Sequence, residues 1–173
     1  MNDALFLQAG DLVKSTISGS RKGLPNIPSY KHSFDVAEIL RSFGFSDEVV
    51  LAGLLHDVYE DGNVSFEELL RLGFSSRVVD LVRLCSFDKN LPVGDIRWEA
   101  MIDNLTKTND REAWAIKIAD IIDNIADSFA LSPERTVYML EVKGPKILSL
   151  TKKLLADNPL WQELEKELKK HPV

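Results

Sequence analysis

Four ionisable side chains lie within six positions at the end of an apolar segment: His56, Asp57, Glu60 and Asp61. If they continue a helix, Glu60 lies four residues after His56 and three after Asp57, so these side chains are neighbours on one face. Carboxylates this close repel one another, and acids at a helix C-terminus each oppose the macrodipole by about 0.3–1 kcal/mol. Burying them unpaired would also be costly. A bound cation would relieve both problems, so the cluster favours a metal site over a solvated helix end.

Two more polar groups lie on strongly apolar segments and extend this set. His32 begins a segment that carries Val36 and Ile39, and Asp120 lies inside the apolar run 115–122. Two imidazoles and two carboxylates suit Mn, Fe or Zn rather than Ca. His32, His56, Asp57 and Asp120 are therefore the candidate metal ligands, and such a set leaves coordination positions for water or substrate.

The apolar pattern of the chain is helical, so helices must position these residues. Apolar residues recur at helical spacing over most of the sequence and alternating strand patterns are absent, so the sequence predicts an all-α fold. A Gly- and Pro-rich connection over 18–29 is predicted to be a loop, of a length that is often functional. The segments predicted to be helical are about 3–17, 31–43, 46–61, 65–72, 75–85, 97–105, 111–129, 133–142, 145–156 and 159–170.

Length and composition limit the classes of protein that remain. The 173 residues suit one domain, and 45% hydrophobic with 28% charged residues is typical of a globular protein. The net charge of −6 argues against general binding of nucleic acid or anionic membranes. No apolar run approaches the roughly 20 residues of a membrane span. The single cysteine, Cys85, excludes an internal disulfide, and a reducing cytoplasm is expected.

One segment departs from the acidic composition. Residues 12–34 contain four basic side chains and no acid, namely Lys14, Arg21, Lys22 and Lys31. In an acidic protein this is a local segment that can attract phosphate. A solvated basic loop is the alternative interpretation of the same residues.

The order of these motifs resembles a known family. His32, then His56-Asp57, then Asp120 on helices is the order of ligands in the HD-domain metal-dependent phosphohydrolases. The basic pair Arg21-Lys22, the string His56-Asp57-Val58-Tyr59-Glu60-Asp61 and the segment Lys117–Asp120 with Asn124 are similar to the hydrolase domain of RelA/SpoT proteins and to small stand-alone alarmone hydrolases. The likeness covers roughly residues 12–127.

This resemblance implies a role for each matched residue. His32, His56, Asp57 and Asp120 match the metal ligands, usually of manganese, with Fe, Zn, Co and Ni as alternatives. Glu60 and Asp61 match the acidic pair that orients or deprotonates the attacking water. Arg21, Lys22 and Asn124 match residues that contact the nucleotide. The implied protein is a single helical HD-domain bundle over 1–173, with the motifs in about 12–130 and C-terminal helices over 133–170.

The implied activity is hydrolysis of the 3′-pyrophosphate from guanosine 3′,5′-bis(diphosphate), the stringent-response alarmone. The family commonly has basic residues after the last metal aspartate, where this chain has Ile121 and Ala126. An HD hydrolase of another nucleotide or phosphoester is therefore an alternative, and a non-catalytic nucleotide sensor is an alternative of a different class. The expected partner is a small phosphorylated nucleotide, without nucleic acid or membrane, and a homodimer is left open.

Overall fold

The computed structural model describes residues 3–21 and 23–170, and the described chain is almost entirely helical. The predicted all-α fold is confirmed, although a small two-stranded sheet accompanies the helices. The α-helices are α1 (Asp3–Thr16), α2 (Lys31–Ser42), α3 (Asp47–Leu55), α4 (Phe66–Arg71), α5 (Ser76–Cys85), α6 (Asp95–Thr108), α7 (Arg111–Ser128), α8 (Pro133–Val137), α9 (Gly144–Leu155) and α10 (Pro159–Lys170). None of these helices is long and apolar enough to cross a bilayer.

The core is built around α3 and α7. Every residue of α3 from Val49 to Leu55 is buried, and α7 is buried without a break from Ala113 to Ile121. Both helices pack against α2, which carries His32 in its first turn. The three helices that hold the candidate ligands therefore meet one another inside the core.

The Gly- and Pro-rich connection forms a hairpin, which corrects the prediction of a loop without strands. Strand β1 (Ser20–Arg21) pairs antiparallel with β2 (Leu24–Pro28), and Ser29 N–H donates to Gly19 at 3.0 Å. The strands are too short and too rich in proline for an alternating pattern to be visible in the sequence. The hairpin carries Arg21 to the core helices, whereas Lys22 lies outside the described residues.

The predicted helix through His56–Asp61 is wrong, because α3 ends at Leu55 and consecutive turns follow it. Val58 N–H donates to Leu55 O at 3.0 Å, and Asp61 N–H donates to Asp57 O at 2.8 Å. These turns lie directly against α1. A Cβ at Gly62 would come within 2.8 Å of Thr16 Oγ1 and 2.7 Å of Val58 O, so the close approach requires glycine.

The helix predicted over 133–142 also differs, because α8 widens into a π-helical segment (Tyr138–Lys143) and continues into α9 without a break. Gly144 N–H donates to Met139 O, five residues earlier. The wider turn suits Pro145, which has no N–H to donate and would clash in a regular α-helix. The π-helical segment also places Lys143 in the wall of a cavity within the fold.

The packing of α2 on α3 gives a stability prediction. A Cβ at Gly53 would lie 2.3 Å from Leu40 Cδ1 and 3.5 Å from Val36 Cγ1, and both of these side chains are fully buried. Gly53→Ala is therefore expected to lower the free energy of unfolding by about 1 kcal/mol. Overpacking costs about 1–3 kcal/mol, whereas alanine gains only about 1 kcal/mol of helix propensity.

Thermal or denaturant unfolding of the metal-free protein measures this effect. Gly10→Ala is the matched control, because its new Cβ would meet only the edge of the Phe34 ring, at 3.2 Å. A Gly53→Ala protein that is as stable as the wild type would contradict the packing described for α2 and α3.

Candidate metal and phosphate site

The structure brings the four candidate ligands to one place. His32 lies in the first turn of α2, His56 and Asp57 follow the end of α3, and Asp120 lies in the middle of α7. The two imidazole rings are 5.1 Å apart between centroids. Ligand atoms of His32, His56 and Asp57 all lie within 4.8 Å of one another, and Asp120 Oδ1 is 3.1 Å from His32 Nε2 and 4.0 Å from His56 Nε2.

His56 carries a buried lone pair that has no partner. Its Nδ1–H donates to Gly53 O at 2.7 Å, so the lone pair of the neutral ring is at Nε2. His56 Nε2 is buried and makes no hydrogen bond with any residue that the structure describes, although Asp57 Oδ1 lies 3.2 Å away. An orphaned imidazole nitrogen that faces carboxylates is what a cation requires, so the residues present fit a divalent metal.

His32 is held at both ring nitrogens by carboxylates. Nε2 faces Asp120 Oδ1 at 3.1 Å, and Nδ1 lies 2.6 Å from Asp123 Oδ2. Burial alone would lower the pKa of His32, but the hydrogen bonds to Asp120 and Asp123 and the charge of Asp57 outweigh it and raise the pKa to about 10. His32 therefore carries a proton on both ring nitrogens in the absence of a cation. A metal that binds Nε2 would displace the proton from that nitrogen.

Asp120 remains ionised although it is buried. Burial favours its neutral form, but Lys117 Nζ donates to Oδ2, and this charge together with His32 holds the pKa of Asp120 well below its usual range. Asn124 Nδ2 donates to the backbone carbonyl of Asp120 at 2.9 Å and also to Oδ1 of its carboxylate. The stripe Lys117–Asp120–Asn124 on α7 thus fixes the carboxylate from both sides.

Glu60 and Asp61 lie beside the four ligands and differ in their surroundings. Glu60 Oε1 accepts a hydrogen bond from Phe87 N–H at 2.8 Å. Burial, reinforced by the charge of Asp57, raises the pKa of Glu60 to about 8. Asp61 lies at the rim of the site, and the partial burial of its carboxyl together with the charge of Asp57 also raises its pKa. Glu60 therefore has a pKa close to neutral pH, which suits proton transfer.

One cavity of about 260 Å³ adjoins the cluster, and its lining includes His32, Asp57, Glu60, Asp61 and Asp120. Arg21 and Asn124, which the family resemblance implies as nucleotide contacts, line it too. The Arg21 guanidinium is tied to two acids of α7, because NH2 donates to Asp123 at 2.9 Å and Nε donates to Asp127. Ile121 is buried in the cavity wall, and Ala126 is exposed.

Two cationic residues that line the cavity were not predicted from the sequence. Arg135 from α8 and Lys143 from the π-helical segment both line the cavity, and neither forms an ion pair within residues 3–21 and 23–170. Lys143 Nζ lies 4.9 Å from the Trp98 ring centroid and 5.4 Å from that of Tyr138. Burial, and then the charges of Lys117 and Arg135, lower the pKa of Lys143 to about 8.

A sequence signal for these two residues is faint. Arg135 and Lys143 are eight positions apart, so they share a face of a continuous helix, but the sequence predicted a break before Pro145. Trp98 is buried and also lines the cavity.

Comparison with known proteins agrees with this geometry. The family described as HD domain matches residues 9–142. A Drosophila melanogaster protein named guanosine-3′,5′-bis(diphosphate) 3′-pyrophosphohydrolase MESH1 is 39% identical over 109 residues, which cover 62% of this chain and 59% of that protein. The Xenopus tropicalis protein of the same name is 33% identical over 134 residues, 76% of this chain and 73% of its own length.

A solved structure is similar over nearly the whole chain. It is described as a metazoan ortholog of SpoT that hydrolyzes ppGpp and plays a role in starvation responses. The TM-score is 0.82 with 28% sequence identity, and the match covers 96% of this chain and 95% of the other.

Proposed function

The chain belongs to the HD domain family, and we propose that it is a metal-dependent hydrolase that removes the 3′-pyrophosphate from guanosine 3′,5′-bis(diphosphate). The observation that carries the proposal is His56 Nε2, which is buried without a hydrogen-bond partner among the described residues, 3.2 Å from Asp57 Oδ1 and beside a cavity lined by Glu60 and two cations. The names of the relatives from fly and frog support the choice of substrate.

We propose that His32, His56, Asp57 and Asp120 hold the ion. The mixture of imidazole and carboxylate suits Mn²⁺, with Fe, Zn, Co and Ni as alternatives. When bound, such an ion lowers the pKa of a water ligand and polarises a phosphoryl oxygen. The backbone carbonyl of Gly53 keeps His56 in the tautomer that offers Nε2 to the ion.

The reaction consumes one water and breaks the bond between the ribose 3′-oxygen and phosphorus. Glu60 accepts the proton of the attacking water, and the contact with Phe87 N–H holds its carboxylate in place. Asp61 orients the water from the rim of the cavity. The 3′-oxygen leaves with a proton, so the products are GDP and pyrophosphate.

Positive charge around the cavity binds the phosphates of the substrate. Arg21, Lys22 and Asn124 are the residues that we propose on the hairpin and α7 side. Arg135 and Lys143 add positive charge from α8 and the π-helical segment, whereas α7 has Ile121 and Ala126 where the family commonly has basic residues. Because Arg21 is already paired with Asp123 and Asp127, the two unpaired cations are the stronger attraction for the diphosphate that lies away from the ligands.

The contribution of Lys143 to phosphate binding can be tested directly. Lys143→Gln is expected to raise KM by about 10-fold or more, because a charge-assisted hydrogen bond contributes roughly 1.5–3 kcal/mol. Lys146→Gln is the matched control: Lys146 lies 5.0 Å from the same Trp98 ring but pairs with Glu99. Equal KM values for the two variants would contradict the role of Lys143.

The same residue predicts a pH dependence. Lys143 is charged below its pKa of about 8 and neutral above it, so its contact with phosphate is present at low pH and is lost as the pH rises through 8. The ratio of wild-type kcat/KM to that of Lys143→Arg should fall across this range, because arginine remains charged. A constant ratio would contradict the prediction.

A panel of substrates tests the proposed function. Guanosine 3′,5′-bis(diphosphate), GDP, GTP and nucleoside 3′- and 5′-monophosphates are each incubated with the protein and Mn²⁺, or with a chelator, and the products are resolved. We expect metal-dependent turnover of the first compound above all others. Turnover of a different member would favour the alternative of another nucleotide hydrolase, which Ile121 in the cavity wall supports. Binding without turnover would favour the sensor.

The remaining expectations belong to the same proposal. A cytoplasmic location is consistent with Cys85 being a free and buried thiol. A single domain over residues 1–173 stays a prediction. A homodimer stays possible, and sedimentation of the purified protein would test it.

A further inference from the structure

Asp123 contacts the site from behind one of the candidate ligands. It lies on α7 one turn after Asp120, and its side chain is 12% exposed. Its Oδ2 lies 2.6 Å from His32 Nδ1 and also accepts a hydrogen bond from Arg21 NH2 at 2.9 Å. The other ring nitrogen of His32 faces Asp120 and Asp57 at 3.1 and 3.7 Å.

The two histidines are thus oriented in the same way by different groups. His56 Nδ1–H donates to a backbone carbonyl, and His32 Nδ1–H donates to the Asp123 carboxylate. In both rings the Nδ1–H contact leaves Nε2 as the nitrogen that faces the cluster. An imidazole that binds a metal through one nitrogen is commonly held through the other by such an acceptor, which fixes the tautomer and raises the basicity of the ligand.

We propose that Asp123 is a positioning residue for metal binding, which holds His32 with its Nε2 lone pair directed at the ion. The inference rests on the metal site proposed above. Arg21 completes the arrangement, because its guanidinium donates to the same Asp123 oxygen that contacts His32 and offsets part of the charge of this carboxylate.

A purely structural role for Asp123 would consist of its ion pair with Arg21. Asp127 makes the other half of that pairing, on the same helix and to the same guanidinium. Asp127 therefore offers a matched control, since its removal disturbs Arg21 while the contact between Asp123 and His32 is kept.

The experiment measures the affinity of the full chain for Mn²⁺ by equilibrium dialysis, without substrate, for the wild type, Asp123→Ala, Asp123→Asn and Asp127→Ala. We expect Asp123→Ala to weaken Mn²⁺ binding by about 10–100-fold. Asp123→Asn, whose amide oxygen still accepts from Nδ1–H but carries no charge, should weaken it less, and Asp127→Ala should stay within about 2-fold of the wild type. Nitrogen NMR of histidine-labelled protein with Zn²⁺ should show His32 with its proton at Nδ1 in the wild type.

Unchanged affinity in Asp123→Ala, or an equal loss in Asp127→Ala, would overturn the inference. If Asp123→Ala does not fold, Asp123→Asn decides: wild-type affinity and an unchanged His32 signal would overturn the role. A wild-type protein that does not bind Mn²⁺ would overturn the metal site itself, and this result is distinct from the variant outcomes.

Discussion

Glu60→Gln is expected to lower kcat by about 100-fold or more, while the affinities for metal and substrate stay close to those of the wild type. Glu60 lies beside the ligand cluster rather than in it, and its pKa of about 8 suits a group that exchanges a proton near neutral pH. Glutamine keeps the oxygen that accepts from Phe87 N–H but cannot take a proton from water. Asp61→Asn, at the rim of the same cavity, is expected to act in the same direction.

Steady-state kinetics and metal titration of the same preparations measure these effects. Glu67→Gln is the control, because Glu67 is an exposed residue of α4 and the substitution removes the same charge. If Glu60→Gln loses its metal but keeps its turnover per bound ion, Glu60 is a ligand or a structural group and not a proton acceptor.

The second large effect is expected from His56. His56→Ala removes the buried Nε2 that has no partner among the described residues, so the loss in Mn²⁺ affinity should exceed the about 10–100-fold that loss of an outer-shell contact costs. Because a ligand that binds only the folded state stabilises it, the wild-type melting temperature should rise with Mn²⁺ concentration. In His56→Ala this rise should be absent.

Thermal denaturation with and without Mn²⁺ measures the difference. Ser33→Ala is a suitable control, because Ser33 is buried next to His32 and its Oγ also has no partner. A rise in melting temperature that survives in His56→Ala would show that the ion binds elsewhere.

The helices and the ligand set could be predicted from sequence because each has a local signal. An apolar segment that ends in His56-Asp57 and a lone acid, Asp120, inside an apolar helix are visible without coordinates. The helix predicted over 65–72 has an equally local signal, because a serine can cap its start, and Ser65 Oγ accepts from Glu68 N–H at 3.1 Å.

The rest depends on contacts between segments that are distant in the chain. The hairpin at 20–28 has no alternating pattern. Its ion pair with α7 joins Arg21 to Asp127, which is 106 positions later in the chain. Lys143 reaches the cavity only because a π-helical segment shifts the register of α8. The helix through His56 was predicted too long, because spacing alone does not reveal that the chain must turn at Gly62 to lie against Thr16.

The most direct test of the central claim is phosphorus NMR of guanosine 3′,5′-bis(diphosphate) during incubation with the protein and Mn²⁺. The account predicts GDP and pyrophosphate in equal amounts, no orthophosphate, and no reaction with Glu60→Gln or with a chelator. Release of orthophosphate, or an unchanged substrate beside rapid hydrolysis of simple nucleoside monophosphates, would contradict it.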